Sequence, residues 1–219
     1  MLAINYGPKY CKAHHLNSAA PAEPTAELHP QLFERVQNTP LTDSEIAGLQ
    51  QAQRFGTEGN GYFRIQATKP QTISYSMTDS PVGFLAWIYE KLHDWTDAYP
   101  WTDDEVLTWI SIYYFSVAGP SAPNNTYYEM EHRNPPAFPA VQKYTDVPLG
   151  ISRLPKDLIR LPKLWLHTMG PVVFENDFVK GGHFAAWECP DALVNDLRVM
   201  FGRGGGAYGC VKGRSGYNG

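Results

Sequence analysis

Cysteine is scarce. Cys11, Cys189 and Cys210 are the three in 219 residues, far apart and without C-x-x-C spacing, which argues against a disulfide framework and for unpaired thiols in a reducing compartment. Excess charge of either sign is missing too. Lys and Arg number 18 against 22 Asp and Glu, a net charge of −4, and with no basic run in the body of the chain there is no electrostatic footprint for nucleic acid or anionic lipid. Long apolar runs are also absent. The longest, Trp109 to Gly119, is interrupted by Ser111 and Ser116 and is too short to cross a bilayer. Met1 to Asn5 leads to Lys9 without the apolar core of a secretory leader. The chain therefore reads as cytoplasmic, with no transmembrane segment. His14, His15, His29, His93, His132 and His167 show neither H-x-H nor H-E-x-x-H spacing, so no metal site is expected.

Hydrophobic residues make up 43% of the chain, enough to fill the core of one domain. Residues 10 to 16 read as a short strand or helix end. A connection punctuated by Pro21, Pro24, Pro30 and Pro40 follows, of a length typical of a lid or excursion. Thr42 and Glu45 form a capping box, with Leu41 and Ile46 placed for a hydrophobic staple. They predict a helix to about Phe55, broken by Gly56, Gly59 and Gly61. Pro70 opens a short helix to about Met77. Phe84, Leu85, Ile88, Tyr89, Leu92 and Trp95 then recur at helical steps, and Thr102 with Glu105 repeats the capping box before another helix. Asn124-Asn125-Thr126 matches a glycosylation sequon, relevant only to a secreted chain.

Beyond the proline-rich stretch from Pro120 to Pro139 the pattern changes. Val147 to Leu154 and Val172 to Val179 read as strands. Asp191 to Phe201 reads as a helix, with Leu193, Leu197 and Met200 toward the sheet and Asn195, Asp196 and Arg198 away from it. Eight glycines between Gly202 and Gly219 read as a mobile tail. Gly204-Gly205-Gly206 follows a helix and precedes none, the reverse of a phosphate loop.

Two residues stand out chemically. Asp157 and His183, 183 − 157 = 26 residues apart, each follow a predicted strand, and reactive groups in open α/β sheets gather at the carboxyl ends of strands. Gly181-Gly182 allows a sharp turn that leaves the imidazole exposed, with Phe184, Ala185 and Ala186 behind it, an arrangement suited to a general base. In α/β-hydrolases the order is nucleophile, acid, histidine, so a nucleophile is expected well upstream. No G-x-S-x-G occurs, and strand signals are few. The plainer alternative is that His183 caps a turn and Asp157 starts a helix.

Longer motifs carry a resemblance. Gly181-Gly182-His183-Phe184-Ala185-Ala186-Trp187-Glu188 resembles the histidine motif of the microsomal-type epoxide hydrolases, a branch of the α/β-hydrolase superfamily. Gly61 to Pro70 and Thr78 to Gly83 look like that family's lid signature, and Val147 to Leu158 like its acid-bearing segment. The resemblance runs in order from the first residues to about Phe201. It implies a partial α/β-hydrolase fold: a helical lid and the last strands of the parallel sheet. The corresponding divisions are a remnant and connection at 1–40, the lid at 41–145, a carboxyl-terminal catalytic segment at 146–201 and a flexible tail at 202–219. It also implies roles. Asp157 matches the charge-relay acid, His183 the base that activates water, and Tyr62 one of two lid tyrosines that hydrogen-bond the epoxide oxygen. Tyr127 best matches the second, with Tyr128 competing.

The family's G-G-x-D-W-G-like elbow and H-G-W-P-like oxyanion segment do not occur here, so the chain reads as a fragment or truncated gene product. The expectation is an epoxide hydrolase in the intact protein, forming vicinal diols through an aspartyl ester from a small apolar epoxide and water. No cofactor and no nucleic acid are implied, and a homodimer stays open. The competing readings are a non-catalytic remnant that binds apolar ligands through its aromatic lid, or another α/β-hydrolase activity.

Overall fold

The computed structural model describes residues 1 to 214. It divides into two units, residues 1–53 with 141 onward, and residues 54–140. In the first part of the chain are α1 (Leu2–Tyr6), β1 (His14–Leu16), α2 (Pro30–Gln37) and α3 (Asp43–Arg54). A π-helical turn (Phe55–Gly59) leads into α4 (Gly61–Thr68), α5 (Pro70–Asp79), α6 (Pro81–Asp94), α7 (Asp103–Tyr114) and α8 (Ala122–His132). The short α9 (Ala137–Val141) precedes β2 (Leu149–Arg153), a 3₁₀ helix (Lys163–Thr168), β3 (Val172–Asp177), α10 (Ala185–Glu188) and α11 (Pro190–Phe201).

The first unit is built on a parallel sheet in the order β1-β2-β3. All five residues of β2 are buried, as the middle strand of a parallel sheet covered on both faces requires. Leu149 and Ile151 pack with Leu166 and Met169 on one face. Burying side chains of this kind stabilises by about 1.5–3 kcal/mol each. On the opposite face Gly150 has no room for a Cβ, which would run into Met200 of α11.

Helix α11 corrects the sequence reading. Met200 is fully buried as expected, but Leu197 is 38% exposed while Asp196 is 2% exposed. The buried carboxylate is matched by donors: Ser152 Oγ donates to Asp196 Oδ2, and Asn176 Nδ2 to Oδ1 at 2.8 Å. Sheet hydroxyl and amide groups thus draw a charged residue to the face that periodicity assigned to leucine. The glycine-rich end, expected to be mobile, packs against the sheet unit over its described part. Ala207 is buried, its N–H donates to Met200 O at 3.0 Å, and Gly205 and Gly206 sit too close to Met200 and Val173 for any Cβ. Glycine here permits close packing. The rest of that expectation, residues 215 to 219, lies outside the described residues.

In the second unit, Phe84, Leu92, Met77, Val106 and Ile110 form a helical core. The capping box at Thr102 and Glu105 is present, Ser80 caps α6 through Gly83 N–H, and Pro70 and Pro81 sit in first turns where a missing donor costs nothing. Gly56 and Gly59 widen α3 into the π turn rather than ending it. The stretch read only as proline-rich contains α8, for Pro123 occupies its first turn. Asn124 of the sequon is 1% exposed and donates to Ser74 Oγ at 2.9 Å, so in the folded chain it is closed to modification. Helix α3 groups with the sheet, and the helical unit starts at Arg54.

Candidate active site

Beyond the carboxyl ends of β2 and β3 the chain continues into two loops that stay side by side. Lys156 pairs with Gly182 in a parallel bridge, and Lys156 N–H donates to Gly181 O at 3.1 Å. Gly181 has φ +106, and a Cβ there would lie 2.8 Å from Leu154 Cδ2 and 2.9 Å from Cys189 Sγ, so only glycine fits this turn. The turn delivers His183 to Asp157, with Nδ1 and Oδ1 2.8 Å apart.

The two partners differ in exposure. Asp157 is 3% exposed, whereas the His183 side chain is 32% exposed. The same Asp157 oxygen accepts from Leu158 N–H at 2.8 Å. An ionised carboxylate only accepts hydrogen bonds, so Nδ1 carries the hydrogen and Nε2 is the basic nitrogen of the neutral ring. The Phe184 ring stands edge-on at 5.6 Å, and Ala185 is buried at the start of α10.

The acid loop rests on α3. Gln51 Nε2 donates to the Asp157 backbone carbonyl, Arg160 Nη1 donates to Ser44 Oγ, and Lys163 N–H donates to Glu45 Oε1 at 2.9 Å. Gly48 is so close to Arg160 O that a Cβ could not be added. Residues 44, 45, 48 and 51 share one helical face, and that face carries the segment from 157 to 163. A small recess of about 20 Å³ beside Asp157 is lined by Asn17, Ser18, Arg153, Leu154 and Arg160. Asp177 pairs with Arg153 at 3.4 Å and Arg160 at 3.5 Å.

The second unit brings the two predicted tyrosines together. Tyr62 on α4 and Tyr127 on α8 meet edge-to-face, ring centroids 5.9 Å apart at 88°. Trp95 stands 5.0 Å from Tyr62, and Phe63 5.7 Å from Tyr127. Burial, and then the neighbouring Tyr127, push the Tyr62 phenol up to about 12. Burial raises Tyr127 above its ordinary value as well. Tyr128 is 38% exposed and stacks on His132 at 3.9 Å, away from this pair.

In sequence and in fold the chain is similar to several epoxide hydrolases. A Stigmatella aurantiaca protein named as an epoxide hydrolase is 38% identical over 174 residues, covering 77% of this chain and 38% of that protein. Epoxide hydrolase 1 of Sus scrofa is 31% identical over 155 residues, covering 65% and 34%. The Aspergillus niger epoxide hydrolase structure superposes with a TM-score of 0.72 at 35% identity, over 90% of this chain and 46% of that one. The chain belongs to the epoxide hydrolase family of the α/β-hydrolase superfamily. No family model matches it. The chain spans 38% and 34% of the length of these two curated relatives, and its fold is a partial α/β-hydrolase fold.

Within each unit, sequence reasoning missed a residue that supports these groups. Gln51 carried no signal, because its partner is 106 positions away. Lys91, 7% exposed, lies 4.3 Å from the Trp87 ring and 5.5 Å from the Tyr62 ring and pairs with Glu90 at 3.0 Å. Its place one heptad after Phe84 on the buried stripe of α6 was the available clue. Among the described residues no three His, Cys, Asp or Glu side chains are grouped to hold a metal ion, and no helix is long and apolar enough to cross a membrane.

Proposed function

We propose that the protein to which these residues belong opens epoxides to vicinal diols in two steps, with His183 and Asp157 serving the second. In the first step an aspartate carboxylate attacks an epoxide carbon, the ring C–O bond breaks, and the departing oxygen takes a proton from a tyrosine hydroxyl. In the second, His183 Nε2 removes a proton from water as the water oxygen adds to the ester carbonyl. Collapse releases the diol and restores the carboxylate, and the proton taken up by His183 passes through solvent to the tyrosinate left by the first step. Asp157 keeps the imidazole in the Nδ1–H tautomer and balances the imidazolium that forms.

The observation that carries this reading is the 2.8 Å contact between His183 Nδ1 and Asp157 Oδ1, with the acid buried and the base a third exposed. The tyrosine pair supports it. With burial raising both phenols, Tyr62 and Tyr127 stay protonated at neutral pH and can donate to a developing alkoxide. No G-x-S-x-G and no G-G-x-D-W-G-like elbow occur in the 219 residues. The polypeptide therefore supplies base, acid and phenols, but no elbow nucleophile, and by itself it does not turn over.

The test uses a terminal aryl epoxide. The purified 219-residue polypeptide forms no diol above background, and a longer polypeptide that adds an elbow aspartate does. In that longer protein His183→Ala consumes about one epoxide per enzyme and stalls as the ester, because only the second step needs the base. Steady turnover by the short polypeptide or by His183→Ala would overturn the proposal.

A further inference from the structure

We propose that Glu188 is the positioning residue for His183. Its Oε1 accepts the Gly182 N–H at 3.0 Å, and so ties the residue immediately before the base to a point six residues on. The loop between is built to be closed this way. Gly181, at φ +106, has turned the chain off the end of β3, and its carbonyl is spent on Lys156 N–H. On the far side Glu188 N–H and Trp187 N–H both donate to Phe184 O, at 3.0 and 2.8 Å, which makes α10 a single rigid turn. Its next amide, Cys189 N–H, donates to Ala185 O at 2.9 Å, and Ala185 is buried. The Glu188 carboxylate projects from that turn back to Gly182.

His183 and Phe184 are thus the span between two fixed points, Gly182 and α10. A hydrogen bond to a charged acceptor is stronger than a neutral one, and a buried amide that loses its partner is costly. Gly182 is buried. Without Glu188 the peptide before His183 would rotate to find another acceptor and carry the imidazole off Asp157. The inference rests on the reading of His183 as the base, but it concerns the geometry of the dyad and can be measured without any epoxide.

The measurement is proton and nitrogen-15 NMR of the 219-residue chain, following the His183 Nδ1–H resonance and the exchange of the Gly182 amide. In the unaltered chain the Gly182 amide is protected at least about tenfold against exchange, as expected for an amide held by a charged acceptor. Glu188→Ala speeds solvent exchange of the His183 Nδ1–H by about tenfold or more, whereas Glu188→Gln, which keeps a carbonyl oxygen at the same place, stays within about twofold. A merely structural glutamate would not separate the two variants in this way while the fold persists. Two results overturn the proposal: a Gly182 amide exchanging at open-chain rates in the unaltered chain, which needs no variant to fold, or an unchanged His183 signal in Glu188→Ala. If the signal responds as stated but no longer protein hydrolyses epoxides, the positioning role stands and the reaction is what fails.

Discussion

The two units bury polar groups in different ways. In the helical unit such contacts are mostly within one helix: Gln66 bonds to Tyr62 O and Ser74 to Pro70 O, each one turn back. In the sheet unit they join distant segments. Ser152 reaches His15 and Asp196, Asn176 reaches Asp196, Gln51 reaches Asp157, and His183 reaches Asp157. The helical unit provides an aromatic, low-dielectric setting that holds phenols protonated. The sheet unit holds an imidazole and a carboxylate as a fixed pair. A pair of that kind depends on relative position to within a few tenths of an ångström, which many long-range tethers can supply and a helix face cannot.

Breaking the dyad should have the largest effect. In a polypeptide that also supplies the elbow aspartate, Asp157→Asn slows ester hydrolysis by about 10³–10⁴, since the amide no longer selects the Nδ1–H tautomer. Ester formation stays within a fewfold. Single-turnover kinetics separate the steps, and an equal loss in both would show that Asp157 does not act through His183.

The helical unit should show the smaller and opposite pattern. Tyr62→Phe and Tyr127→Phe each slow ring opening by about 10²–10³, the cost of one hydrogen-bond donor at a developing oxyanion. Ester hydrolysis is spared. Tyr128→Phe, outside the aromatic pair, changes neither step by more than about twofold. If Tyr128→Phe slowed ring opening and Tyr127→Phe did not, the second donor would be Tyr128.

Much of this organisation was legible before any coordinates, for local reasons. The capping boxes at Thr42 and Thr102, the prolines opening α5 and α6, and the strands around Leu149 and Val172 announce themselves within a few residues. The Gly181-Gly182 turn does so too. The pairings of Asp157 with His183 and of Tyr62 with Tyr127 were legible because motifs preserve chain-local surroundings. The burial of Asp196, Lys91 and Asn124 was hidden, because each is compensated by groups distant in sequence or by an aromatic face. Periodicity marks which face is buried and says nothing of which polar groups are matched there. The packed turns after Gly202 were hidden for a related reason, since glycine signals freedom in a chain and close approach in a fold.

Stability offers a third comparison. Asp196→Ala leaves the Ser152 hydroxyl and the Asn176 amide without their acceptor and costs about 1–3 kcal/mol in chemical denaturation. Asn124→Ala removes a donor from Ser74 and Met77 and costs about 0.5–1.5 kcal/mol. The sheet unit should prove the more sensitive, because a buried carboxylate serves two partners there. Equal losses at the two sites would remove the distinction.

The smallest effect concerns the two capping boxes, one at each end of the comparison. Burial pulls the Glu45 carboxyl up, but hydrogen bonds from Thr42 and Lys163 N–H prevail and hold it below the ordinary range. Glu105 is held low mainly by the Tyr99 hydroxyl at 2.6 Å and then by Thr102. Both folded values lie below the unfolded ones, so the stabilisation is fully present above the unfolded value, about 4.3, and is lost as pH falls through the folded value. The difference lies in reach. Glu105 holds only its own helix start and Tyr99, whereas Glu45 also anchors Lys163 beyond the acid loop. Lowering the pH from 6 to 3 should therefore reduce protection, relative to intrinsic exchange rates, at the Thr102 amide in the helical unit, but at both the Thr42 and Lys163 amides in the sheet unit. Glu45→Gln should weaken the pH dependence at both of those amides and cost about 0.5–1 kcal/mol. A Lys163 amide indifferent to pH over that interval would mean that α3 carries the acid loop through Ser44, Gly48 and Gln51 alone.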